Sequence, residues 1–220
     1  MKSKFNVKQL TLLAMLVAVL LLMAFTPLGY LNIGLLAITF NVIPVAIGAI
    51  ALGPAGGLIA GSVFGLTSFL QCIGIGGLSP LGSTLFSINP FFTIVLCFVP
   101  RMLDGFLLGY IFRIVGRFSR TAACFVTGFF AAFLNTAFYM SALVLLFGRT
   151  EYMQGLINDR NILVFICAFV GPNAICEMLS STIITGAVGT VLCKARLVPE
   201  APNLQKFRKI RKIKHYGSRH

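Results

Sequence analysis

The sequence predicts an all-α integral membrane protein: six transmembrane helices in one bundle, with both termini cytoplasmic. Three observations predict it. Of 220 residues, 58% are hydrophobic and only 10% are charged, a composition foreign to soluble domains of this size. The apolar residues fall in long runs, and at about 20 residues per crossing of a core of about 30 Å the chain accommodates about six spans with short connections. The charges gather in basic clusters at alternate connections, the pattern that sets orientation in a bilayer. One membrane domain over residues 1–198 and a basic cytoplasmic tail over 199–220 account for the whole chain.

The first apolar run, at about 9–26, follows Lys2, Lys4 and Lys8. It has the flanks of a secretory signal, but another membrane segment follows and Thr26-Pro27-Leu28-Gly29 is a poor cleavage site, so it reads as an uncleaved span. Ala14 and Ala18 lie on its cytoplasmic half at helical spacing. The second and third spans, at about 40–53 and 55–73, are joined by Leu52-Gly53-Pro54-Ala55-Gly56, a tight turn by its residues. Gly53, Gly57, Gly61 and Gly65 then repeat every fourth residue and give one helix face a smooth strip for close packing, within the chain in preference to a dimer face. The fourth to sixth spans, at about 89–113, 121–147 and 161–193, are long enough to tilt or to project beyond the bilayer.

Arg113, Arg117 and Arg120 surround the fourth-to-fifth connection, and Lys194, Arg196 and the tail follow the sixth span. With the N-terminus inside, all the basic clusters are cytoplasmic. The outer segments 27–39, 74–88 and 148–160 hold Arg149, Glu151, Asp159 and Arg160, whose charges cancel. The tail supplies +6 of the net charge of +13; beside a membrane helix this reads as a topology determinant and a contact for anionic lipid headgroups, with no nucleic-acid partner expected. The stretch 73–83, rich in Gly, Ser and Pro, reads as a mobile loop able to cover a site. The six cysteines lie in or beside apolar runs without metal-ligand spacing and read as small buried apolar residues. No metal site is expected.

Polar residues inside such spans are costly and mark function. Arg101 and Asp104 stand in the fourth span, Asn135 in the fifth, and Asn173 with Glu177 in the sixth. At 1.5 Å per residue, Arg101, Asn135 and Asn173 each fall roughly 18 Å from the outer end of their helix. A guanidinium and two carboxamides at one level form a cradle for an anion that also carries amide or hydroxyl groups. Two readings stay open for the acids. Arg101 and Asp104, three residues apart, can neutralise each other, and Glu177 needs either a partner or a proton. Asn89, before Pro90 at the outer mouth, is either a lip residue or a cap, and Gln71 reads as a cap.

The chain lacks G-x-x-x-x-G-K-[ST], H-E-x-x-H and G-x-S-x-G, and both histidines, His215 and His220, lie in the tail. It is therefore expected neither to bind ATP through a P-loop nor to be an enzyme.

Several stretches carry a resemblance. They are Phe25-Thr26-Pro27-Leu28-Gly29-Tyr30, Ile43 through Pro54, Phe64-Gly65-Leu66-Thr67-Ser68, Asn89-Pro90, Val99-Pro100-Arg101, Asn135-Thr136, and Asn173 with Glu177. In that order and spacing the chain resembles the membrane-embedded substrate-binding subunits (S components) of energy-coupling factor (ECF) vitamin transporters, and within them most closely the pantothenate carriers. The resemblance implies a plasma-membrane subunit of an ABC-type importer. It implies an outward-facing pocket closed by the loops after the first, third and fifth spans, and a small vitamin as substrate. The site residues would be Arg101, Asn135, Asn173, Asn89, Glu177 and Asp104. It also implies a transmembrane coupling subunit, packed on Ala14 and Ala18, and two cytoplasmic ATPases that use the ATP; the chain itself would bind no cofactor. The basic tail departs from these compact proteins. Three other readings are carried forward: the same role for riboflavin or folate, a solitary transporter using Asp104 or Glu177 as a proton relay, and an intramembrane enzyme.

Overall fold

A computed structural model of the chain describes residues 7–26, 30–33, 36–76, 79–157, 162–195 and 197–198. Lys2, Lys4, Pro27 to Gly29, Asp159, Arg160, Arg196 and the tail 199–220 lie outside the described residues.

The elements run α1 (Val7–Phe25), β1 (Tyr30–Ile33), β2 (Leu36–Thr39), α2 (Val42–Cys72), α3 (Pro80–Ile88), α4 (Pro90–Val115), α5 (Arg120–Phe147), α6 (Glu151–Ile157) and α7 (Ile162–Lys194). Among the described residues, five helices are long and apolar enough to cross a membrane: α1, α2, α4, α5 and the part of α7 over Asn173–Lys194. The protein is a multi-pass helical membrane protein. Its long helices end within a few residues of the spans read from the sequence.

Although α2 is continuous by hydrogen bonding, it is two helices, 42–52 and 54–72. Gly53 interrupts them with φ 72° and ψ −161°, a left-handed φ that glycine adopts without strain, and Pro54 behind it disfavours a helical conformation at Gly53. The chain reverses there. A Cβ on Gly48 would lie 3.3 Å from that of Ala60, whereas a straight helix would separate them by about 18 Å.

The glycine strip packs within the chain, as the sequence led us to expect. A Cβ on Gly57 would overlap the carbonyl oxygen of Gly105, one on Gly61 that of Arg101, and one on Gly65 would sit 2.9 Å from that of Cys97. The 54–72 half of α2 therefore runs antiparallel to α4 with the backbones touching. Phe92 of α4 meets Phe147 of α5 at 6.1 Å between ring centres. Gly128 of α5 sits against Ser181 and Thr185 of α7, and Cys124 contacts Cys193 at 3.9 Å between sulfurs. Both pairs are thus antiparallel neighbours.

The outer connections hold more structure than the sequence reading allowed. The fold class of all-α is amended by the antiparallel hairpin β1–β2, with Tyr30 opposite Thr39 and Ile33 opposite Leu36. The stretch read as a mobile loop ends in α3, which starts on a Ser79 cap accepting from the Gly82 N–H at 3.2 Å and carries proline in its first turn. Leu81 and Leu85 of α3 and Met153 of α6 join Leu96, Met140, Leu143 and Phe147 in one apolar cluster. A second, larger cluster fills the centre of the bundle around Leu20, Val42, Ala46, Phe64, Leu108, Ala131 and Ala132.

Candidate functional site

Between these two clusters lies the polar belt, and Pro100 is where it begins. Proline has no N–H, so the carbonyl four residues back loses its helical partner. That carbonyl belongs to Leu96, and the side chain of the next residue supplies the missing donor: Arg101 Nη1 donates to Leu96 O at 3.0 Å. Two rings hold the guanidinium, with its carbon 5.1 Å from the centre of Phe64 on α2 and 4.7 Å from that of Tyr139 on α5. Cation–π contacts of this kind gain strength when shielded from water. Arg101 Nε is buried and has no hydrogen-bond partner. The arginine is therefore fixed at one edge, sandwiched on its faces, and left with a donor to spare.

The helix registers place the other polar residues in two layers about one turn apart. Arg101 meets Tyr139, so Asn135, one turn earlier on the antiparallel α5, lies level with Gly105 and Asp104 of α4. The contact of Gly128 with Ser181 and Thr185, followed two turns along α5 and two turns back along α7, puts Asn135 level with Glu177 and Tyr139 level with Asn173. Val45 of α2 touches the position where Gly105 would carry a Cβ, at 3.2 Å. Asn41, one turn before Val45, falls in the layer of Arg101.

The outer layer is thus Asn41, Arg101, Tyr139 and Asn173; the inner one is Asp104, Asn135 and Glu177. The sequence reading put Arg101, Asn135 and Asn173 at one depth, and Asn135 stands one turn deeper. Asp104 is 1% exposed and its Oδ1 has no partner, and the Asn135 Oδ1 is equally buried and unpaired. Arg101 and Asp104 do not pair through Arg101 Nε or Asp104 Oδ1. Arg101 is nevertheless the basic residue that shares the belt with Asp104 and Glu177. Glu177 is 6% exposed and accepts the Thr39 N–H at 2.6 Å, which ties the end of β2 to α7 at the belt.

The remaining candidates lie elsewhere. Asn89 caps α4, accepting from the Phe92 N–H at 3.1 Å, three turns outward of Arg101. Gln71 donates to the Ala24 carbonyl at 2.7 Å and joins the ends of α1 and α2. Ala14 and Ala18 are exposed on α1, away from Leu13 and Leu20, which pack inward. Sequence reasoning missed Asn41, Phe64 and Tyr139. Tyr139 had a signal, lying one turn from Asn135 on the same face of α5; Asn41 had none, because it sits at the edge of an apolar run and reads as a cap.

A membrane-embedded bundle with a cationic, amide-lined belt beneath a folded outer cover defines a class of protein that holds a polar solute within the bilayer. Residues 8–189 match the family described as "ECF transporter, substrate-specific component", and the chain belongs to that family. Two relatives are named for one solute. The chain is 31% identical over 201 residues to "Pantothenate transporter PanT" of Leuconostoc mesenteroides, covering 86% of this chain and 94% of the relative. It is 28% identical over 170 residues to "Pantothenic acid transporter PanT" of Lactococcus lactis, covering 70% of this chain and 76% of the relative. The family is one of transporter components, not enzymes.

Proposed function

We propose that this chain captures pantothenate on the outer side of the plasma membrane and delivers it as the substrate-binding subunit of an ECF-type importer. The observation that carries the reading is Arg101, clamped by Leu96 O, Phe64 and Tyr139 with Nε unpaired in a buried belt. Its two named relatives supply the cargo. Pantothenate offers one carboxylate, one amide and two hydroxyls. Arg101 takes the carboxylate through the edge that includes Nε, while Asn135 and Asn173 bond the amide and hydroxyls. Asp104 and Glu177 border the pocket, with Arg101 offsetting their charge. Asn89 shapes the mouth as the cap of α4.

In this reading the two halves of α2 on either side of Gly53 count as separate spans, six in all, and both termini are cytoplasmic, which the basic residues Lys8, Arg113, Arg117, Arg120 and Lys194 support. The exposed Ala14 and Ala18 give a smooth surface for a transmembrane coupling subunit, and two partner ATPases supply ATP-driven work.

Purified full-length chain, titrated with a panel of labelled B vitamins without partner subunits, tests this. Submicromolar binding of pantothenate, lost in Arg101→Ala, supports the reading. Binding of riboflavin or folate instead moves the cargo; silence from folded protein removes the capture role. A second reading, a solitary proton-coupled carrier, draws on the buried Asp104 with its unpaired Oδ1, and pantothenate uptake into vesicles driven by a proton gradient alone would favour it.

A further inference from the structure

Asn41 is the most anomalous polar residue of the belt. It is 0% exposed, and its Oδ1 and Nδ2 both lack hydrogen-bond partners. It also stands where asparagine ordinarily has a local partner. As the N-cap of α2 it should accept an N–H from the first turn, as Ser79, Asn89 and Ser119 do for α3, α4 and α5. Asn41 makes no such bond, and its backbone has already turned helical at φ −65° and ψ −16°. The carboxamide is thus withheld from its usual role and kept in the interior. Close by in the chain, the Thr39 hydroxyl is also buried and unpaired, while the Thr39 N–H is bonded to Glu177. The registers set Asn41 level with Arg101, whose Nε is unpaired as well.

Buried polar groups in native proteins are paired almost without exception. Three unpaired groups from separate elements, at Thr39, Asn41 and Arg101, point to a partner absent from the chain itself. We infer that Asn41 is a ligand-contacting, specificity-determining residue. Its carboxamide, with a donor and an acceptor side by side, pairs with an uncharged donor–acceptor group of the solute, an amide or a hydroxyl, while Arg101 holds the carboxylate. This rests on the capture role proposed above. It also separates recognition into a charge contact on α4 and a neutral contact on α2, so that a bare carboxylate of similar size gains only the first.

The test compares wild type, Asn41→Leu and Asn41→Ala as full-length protein, measuring thermal midpoint without ligand and affinity for pantothenate. Leucine keeps the branched shape without polar atoms but is bulkier, and alanine removes the amide without added bulk, so loss of the unpaired amide holds or raises the midpoint in the variant that the site accommodates. The expected result is an unchanged or higher midpoint together with at least a tenfold loss of pantothenate affinity in both variants. Affinity within twofold of wild type overturns the inference while leaving the capture role intact. If Asn41→Leu does not fold, Asn41→Ala is read by the same criterion. Wild-type protein that binds no vitamin overturns the capture role and this inference together.

Discussion

The backbone N–H of Thr39 and the carboxylate of Glu177, 138 positions apart, meet at 2.6 Å and join the β-hairpin to α7 within the polar belt. A hydrogen bond to a charged acceptor is worth about 1.5–3 kcal/mol, so Glu177→Ala frees the hairpin by that amount. Amide exchange at Thr39 rises by about tenfold to a hundredfold, measured by hydrogen–deuterium exchange on the peptide spanning 30–40. Glu177→Gln keeps an acceptor oxygen and shows a smaller rise. Unchanged exchange in Glu177→Ala would mean that the hairpin is held by other contacts.

Arg101→Lys separates charge from shape. Lysine keeps the positive charge but loses the planar head that stacks between Phe64 and Tyr139 and reaches Leu96 O. Pantothenate binding should weaken by about 10- to 100-fold, in keeping with the cost of truncating a buried charge contact, as read by calorimetric titration. A lysine variant that binds like wild type would reduce the site to a simple point charge.

The glycine strip sets a steric prediction with an internal control. Gly57→Ala and Gly61→Ala drive a methyl group into the backbone of α4, and should cost about 1–3 kcal/mol or more. Gly155 has nothing within 4 Å of an added Cβ, so Gly155→Ala should leave the midpoint nearly unchanged. Equal effects at all three positions would refute the close α2–α4 contact.

Cys72 and Cys97 probe the same register chemically. Their sulfurs lie 3.7 Å apart on α2 and α4, and a disulfide needs about 2.05 Å, reachable by small side-chain rotations. Copper–phenanthroline oxidation should remove two hydrogens and link the peptides bearing Cys72 and Cys97, with no product in Cys72→Ala. Absence of that link under conditions that cross-link an exposed control pair would contradict the packing.

A seam between α5 and α7 offers a contrast with the belt. Hydroxyls such as Thr26, Ser62, Thr93, Ser180 and Thr190 donate to carbonyls of their own or the preceding turn, whereas Thr127, Ser181 and Thr185 are buried and unpaired. Thr127→Val, Ser181→Ala and Thr185→Val should therefore be neutral or stabilising in thermal unfolding. A loss of about 1 kcal/mol or more at each would instead mark ordered water bonded to the seam.

The span limits, the turn at Gly53 and the packing role of the glycines were legible because each follows from local composition and period. So was the importance of Arg101, since a charge in an apolar run announces itself. Its companions were harder to find. Phe64 and Tyr139 become a clamp only through the α2–α4 and α4–α5 registers, which no local pattern encodes. Asn41 is marked by the bond it fails to make, an absence visible only in three dimensions. α3 was hidden because Gly, Ser and Pro suit a loop and a capped helix start equally well, and the hairpin because its strands of four residues are too short for a period of two to stand out. The depth estimate, good to about one turn because it rests on span boundaries, put Asn135 level with Arg101, and the contact of Arg101 with Tyr139 sets it one turn deeper.

The reversal at Gly53 has a consequence for how the protein enters the bilayer. Residues 42–72 carry no charged side chain, and the turn between the two halves contains only small residues and proline. Nothing in that stretch supplies the flanking positive charge that orients a span. Their direction is then pinned from a distance. The Arg113 guanidinium lies 3.0 Å from where Gly53 would carry a Cβ, so the helix pair gains its charged anchor at the turn only when α4 has been made.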